Sequence, residues 1–164
     1  MALLFCFNAC DSGKIEKFFA GDAFPDQVVK SFTMSKYDVE NHKWDFHAAR
    51  GDVYEKKKKV NAMSIKMNFY EAEKISSVIS SDKAVMQTET GDIKASGNVI
   101  IFSLLKDTTI FTDSINYFEK SGRVTSDAFV RQEKPDMTIT GTGFDANADL
   151  SDIAILKDVK MVKK

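Results

Sequence analysis

An apolar pattern that returns three times is the feature that most constrains this chain. Counted from Asp82, apolar side chains fall at offsets −3, +2, +4, +11, +13 and +17: Ile79, Ala84, Met86, Ile93, Ala95 and Val99. Counted from Asp113, the same offsets select Ile110, Ile115, Tyr117, Val124, Ser126 and Val130. From Thr142 they select Ile139, Phe144, Ala146, Ile153, Ile155 and Val159. Seventeen of the eighteen positions are apolar or tyrosine, Ser126 being the exception, and successive copies lie 31 and 29 residues apart. The +2/+4 and +11/+13 pairs carry the two-residue period of one strand face. Turn formers separate them: Glu89-Thr90-Gly91-Asp92, Glu119-Lys120-Ser121-Gly122 and Asn147 to Asp152. Each copy therefore reads as a hairpin. One hairpin cannot bury its apolar face alone, whereas stacked copies can.

The rest of the body alternates in the same way. Val28–Ser35, Lys43–Ala49, Met63–Phe69, Asn98–Ser103 and Thr138–Phe144 each show period two, and no long stretch from Val28 to Val162 shows helical spacing. The pattern predicts an all-β fold of about fifteen short strands in hairpin repeats, a sandwich or open β-roll. A length of 164 residues suits one domain behind a leader. Residues 1–9 read as a signal or lipoprotein leader, 10–27 as an anchor cysteine and charged linker, and 28–164 as the β domain. The opening MALLFCFNACDSGK is apolar only up to Ala9, far short of the roughly 20 residues that span a bilayer. Such a run ending in a small residue is similar to the end of a secretory signal. Ala9-Cys10 resembles a bacterial lipoprotein cleavage site, which makes Cys10 a candidate lipid anchor, although Phe7 and Asn8 depart from the usual residues and no Lys or Arg precedes them. Both cysteines lie in this segment, so no disulfide staples the body.

Several function classes find no support. The net charge is −1 and the charges are spread along the chain, so no concentrated basic face suggests nucleic acid. The run Lys56 to Lys59 reads as a solvated hairpin tip, with contact to anionic head groups as the alternative. His42 and His47 have no Cys or carboxylate cluster at metal-ligand spacing, and alternation places His47 on the outer face in solvent. Gly141-Thr142-Gly143 lies between strand arms and suggests a bulge or a close backbone approach, not a phosphate loop. Asp82 and Asp113 occupy equivalent repeat positions and read as turn or strand-end residues, not a catalytic pair. No catalytic residue, metal site or cofactor is expected.

What remains is the inward face: Phe46, Met63, Ile65, Met67, Phe69, Ala84, Met86, Val99, Ile101, Ile115, Tyr117, Val130, Met137, Ile139, Phe144 and Ile155. The residues alone leave two readings open. The face is an ordinary core, or it is a ligand lining that its methionines make adaptable.

Four motifs in order tip that choice. They are Trp44 to Ala48, Gly97-Asn98-Val99, Thr112 to Tyr117, and Gly141 to Phe144 followed by Leu156 to Val159. Together, over about residues 25 to 163, they resemble LptC, the membrane-anchored periplasmic family of lipopolysaccharide export. The resemblance implies a twisted, open β-jellyroll of two antiparallel sheets with acyl chains of lipopolysaccharide in the groove between them. It implies location in the periplasm at the inner membrane. It also implies joints at the sheet edges: the N-terminal edge, with Phe32 and Trp44, against the LptB/LptF/LptG ABC transporter, and the C-terminal edge, with Ile155, Val159 and Met161, against LptA. Many members of that family use an N-terminal transmembrane helix where this chain offers Cys10. A soluble LptA-like bridge protein and, from another class, a β-roll adhesin or carbohydrate-binding module are the rival readings.

Overall fold

The computed structural model describes residues 24–39 and 41–164; the leader and Cys10 lie outside the described residues. Nine strands follow one another: β1 (Gln27–Asp38), β2 (Asn41–Tyr54), β3 (Lys59–Glu71), β4 (Lys74–Gln87), β5 (Ile93–Ser103), β6 (Thr108–Phe118), β7 (Arg123–Glu133), β8 (Met137–Asn147) and β9 (Ile153–Lys163). They form one sheet in the order of the chain, every neighbour antiparallel. The turn chemistry accounts for this meander. Gly91 and Gly122 adopt φ of 78° and 64° and their amides donate back to the carbonyls of Gln87 and Phe118. The lysine run does form a hairpin tip, between β2 and β3. It is tied down there, with Lys58 paired to Glu89 and the ammonium groups of Lys57 and Lys59 over the Tyr54 ring.

Nine long strands replace the expected fifteen short ones, and the reason lies at their midpoints. In β2, β3, β4 and β6 consecutive buried residues step by three instead of two: Ala48 to Gly51, Ala62 to Ile65, Ser81 to Ala84, and Thr112 to Ile115; in β8 the adjacent Gly143 and Phe144 are both buried. The pairing register shifts at the same latitude from β4 through β9. Ser31, Ser64, Gly97, Asn98, Gly143 and Asp158 have positive φ there. From β4 to β9 this is a row of β-bulges, and at Ser31 and Ser64 the same break occurs without a register shift. Each adds a residue, bends its strand and increases the twist without ending the ladder. Alternation read from sequence breaks at such a point, so one bent strand reads as two. Asp82 and Asp113 sit on this crease, inside strands rather than at their ends. Asn98 Nδ2 donates to Asp82 Oδ2 at 2.8 Å and so ties the crease of β5 to that of β4.

Bent along the crease, the sheet rolls over itself into two layers. Trp44, near the start of β2, donates from Nε1 to Glu119 Oε2 just after β6 at 2.8 Å. Ser77 of β4 donates to the Ala148 carbonyl after β8 at 2.5 Å, and Ser103 of β5 to the Asp149 carbonyl at 2.8 Å. In a flat sheet, β2 and β6 are four strand spacings apart, roughly 19 Å. One end of a strand thus lies over the opposite end of a strand about four further on. Among the described residues no helix covers the inner face, and the sheet's own roll buries it.

Candidate functional site

The inner face is built from rows of register-paired side chains. One row crosses all nine strands: Met34, Phe46, Met67, Ile79, Ile101, Ile110, Gln132, Ile139 and Met161. On the other side of the crease a second row runs Val60, Met86, Ile93, Tyr117, Val124, Ala146 and Ile153. All twelve repeat positions of the first two copies are buried. Ser126, the one polar exception, is satisfied: its Oγ donates to the Ser114 carbonyl at 2.6 Å and accepts from the Ala128 amide at 3.1 Å. The third copy differs. Phe144 and Ala146 are buried, Ile139, Ile153 and Ile155 are half-buried, and Val159 is 54% exposed. Among the described residues β9 is the last strand of the sheet, and the long row emerges towards solvent at that edge.

Most of the expected lining faces inward. Phe46, Ile65, Met67, Phe69, Ala84, Met86, Val99, Ile101, Ile115, Tyr117, Val130 and Phe144 are buried, with Ile139 and Ile155 at the half-covered margin. Met63 does not belong there. It is 45% exposed, because the left-handed backbone at Ser64 breaks the alternation that would join it to Ile65. Trp44, expected at the sheet edge, is not at an edge either.

 Trp44 lies in β2, hydrogen-bonded to β1 on one side and β3 on the other, and its side chain is 6% exposed. Phe32 is on the true edge strand β1, but its ring turns inward and packs 6.2 Å from Phe46. Ile155, Val159 and Met161 do lie on the free strand β9. His47 faces outward as expected but is half-buried, with Nδ1 2.8 Å from Thr33 Oγ1.

The structure also adds residues that the sequence reading passed over. Counted from Ala49, five of the six repeat offsets select Phe46, Gly51, Val53, Val60 and Ala62, a partial fourth copy that Gly51 at +2 and the exposed Lys66 at +17 disguise. Leu150, in the β8–β9 turn, is buried as a plug under the fold. Glu119 closes a seam between the layers: its Oε2 accepts from Trp44 Nε1 and, at 3.1 Å, from the Tyr117 hydroxyl. Burial, and then the Glu119 carboxylate, push the Tyr117 phenol above its ordinary pKa. Trp44 stands between two cavities on this seam. One of about 320 Å³ is bounded by Phe69, Tyr117 and Ala148, the other of about 290 Å³ by Met34, Met86 and Glu119.

The arrangement offers apolar burial. Among the described residues no group of three His, Cys, Asp or Glu side chains is placed to hold a metal ion, and no helix is long and apolar enough to cross a membrane. Among solved structures, the fold is similar to LptH from Pseudomonas aeruginosa, described as the LptA-homologous periplasmic component of the lipopolysaccharide transport device. The TM-score is 0.55 at 13% identity, over 73% of this chain and 93% of that one. No curated protein matches in sequence. The family model described as lipopolysaccharide-assembly, LptC-related, matches residues 11–163. This chain belongs to the LptC-related family of lipopolysaccharide-assembly proteins, and its role lies in lipopolysaccharide transport.

Proposed function

We propose that this protein is the periplasmic, inner-membrane-anchored member of the export machine. It accepts lipopolysaccharide from the LptB/LptF/LptG transporter at the β1 edge and passes it to LptA at the β9 edge. The observation that carries this reading is the loss of cover along the third repeat copy. The long row that is sealed between the layers from Ile79 to Gln132 is half-open at Ile139 in β8 and 58% exposed at Met161 in β9. A core that served stability alone would gain from being covered there. Each methylene moved from water into such a row contributes about 0.8 kcal/mol, so acyl chains have reason to enter it. The free hydrogen-bonding edges of β1 and β9 suit addition of a neighbouring strand. Acylation of Cys10 supplies the membrane attachment, and an acylated N-terminal cysteine in the mature protein is the expected mass-spectrometric result.

The test is photocrosslinking in a reconstituted transporter. A photoreactive residue at Phe144 or Met161 should trap lipopolysaccharide when the partner ATPase turns over, and one at the outward Lys160 should trap little. Equal yields at Met161 and Lys160 in folded protein would reduce the inner face to a core.

A further inference from the structure

Eight of the nine members of the long inner row are apolar, and the ninth is Gln132. Its side chain is 2% exposed, and its Nε2 has no hydrogen-bond partner among the described residues. An amide buried without a partner is costly, and replacing it with an apolar group of similar shape removes that cost. The other polar side chains of the inner face are satisfied. Ser77, Ser103 and Ser126 donate to the carbonyls of Ala148, Asp149 and Ser114, and Thr112 to that of Phe129. Gln132 stands apart from them.

Its position gives the unpaired donor a use. On one side lies Ile110, fully buried; on the other lies Ile139, half-buried, and then Met161, 58% exposed. The amide therefore sits where the sealed part of the row gives way to the open part. A hydrocarbon chain lying in the row has nothing to offer an N–H donor. An ester or amide carbonyl, at the point where an acyl chain joins its head, has an acceptor oxygen directly beside the methylenes. We propose that Gln132 Nε2 donates to the linkage carbonyl of an acyl chain held in this row, making Gln132 a positioning residue that reads how the chain is attached. This rests on the lipid-carrying role proposed above and adds a chemical requirement to it: the ligand is an acylated amphiphile with ester- or amide-linked chains.

The experiment compares two probes on the full chain, a diacyl phosphatidic acid and its dialkyl ether analogue of matched chain length, by displacement of a fluorescent apolar dye. Wild type should bind the diacyl lipid about fivefold to tenfold more tightly than the ether, the scale of one hydrogen bond to a buried group. Gln132→Leu should bind both lipids at the ether's level while keeping or raising the unfolding midpoint. Gln132→Met serves as the second variant if the leucine does not fold. Equal binding of the two lipids by wild type, or a diacyl preference that survives in the variants, would overturn the role of the amide and leave lipid carriage standing. Binding of neither lipid would overturn lipid carriage itself, and this inference with it.

Discussion

At the scale of single residues, the polar groups on the fold's margins set its response to pH. Tyr117 has its pKa raised by burial first and then by Glu119. A raised value means that the folded state holds the proton more tightly than the unfolded chain. Its stabilising effect is complete below the unfolded value of about 10 and is lost as pH rises towards the folded one. Tyr117→Phe should cost about 1 kcal/mol at neutral pH, the scale of one hydrogen bond, and should weaken the alkaline fall in stability. Denaturant unfolding at neutral and alkaline pH reads both effects. Asp45 responds in the opposite direction. Partial desolvation works against it, but hydrogen bonds from Ser35, Tyr70 and His42 hold its carboxyl below the ordinary value. Its contribution is present above the unfolded value of about 4 and is lost as pH falls through the folded one. Asp45→Asn should therefore lower stability at neutral pH and flatten the acid limb of the unfolding profile.

At the scale of the strand, the crease decides which side chains matter. Strict alternation makes Met63 and Met67 equivalent, but the left-handed Ser64 between them leaves Met63 45% exposed and Met67 2% exposed. Met67→Ala should cost roughly 2–5 kcal/mol, whereas Met63→Ala should stay within about 0.5 kcal/mol. Urea midpoints of the two variants decide between the bent strand and a straight one. Gly141 marks the crease on β8 for a second reason, the close approach of β9. A Cβ there would lie 2.5 Å from Ile155 Cγ2 and 2.7 Å from the Lys157 carbonyl oxygen. Gly141→Ala should push β9 outward at a cost of about 1–3 kcal/mol, with faster amide exchange in β9 than in β4.

At the scale of the whole molecule, an open roll has two ends that differ in kind. β1 turns Phe32 and Met34 inward against the core, whereas β9 leaves Val159 and Met161 uncovered. Asp158 and Val159 lie in the gap of the β8–β9 register, between the pairs Thr142–Lys157 and Thr140–Lys160. Val159→Pro should therefore spare most of that ladder while removing an edge donor. The expected outcome is loss of LptA capture in a pull-down, with an unchanged β-sheet circular dichroism spectrum. Undiminished capture by the folded variant would count against β9 as the joint.

The sequence by itself determined which residues face inward within each arm and where the chain reverses. Side-chain period and turn chemistry are local, so Ala84, Met86, Ile93 and Ala95, with Gly91 between them, could be read without any partner. Even the bulge left a trace, since the five-residue step from offset −3 to +2 returns both residues to the same face only if one extra residue intervenes. Tertiary structure decided the rest. Two arms count as one strand only through the ladder that continues across the crease, and that ladder belongs to neighbouring strands. The burial of Trp44 depends on Glu119, 75 residues away, and the exposure of Met161 depends on where the roll ends. Gln132 is two residues from Val130 and so was legible as inward, but its lack of a partner is a property of everything packed around it. Cover and satisfaction are set by strands about four apart in the sheet, and no local pattern encodes them.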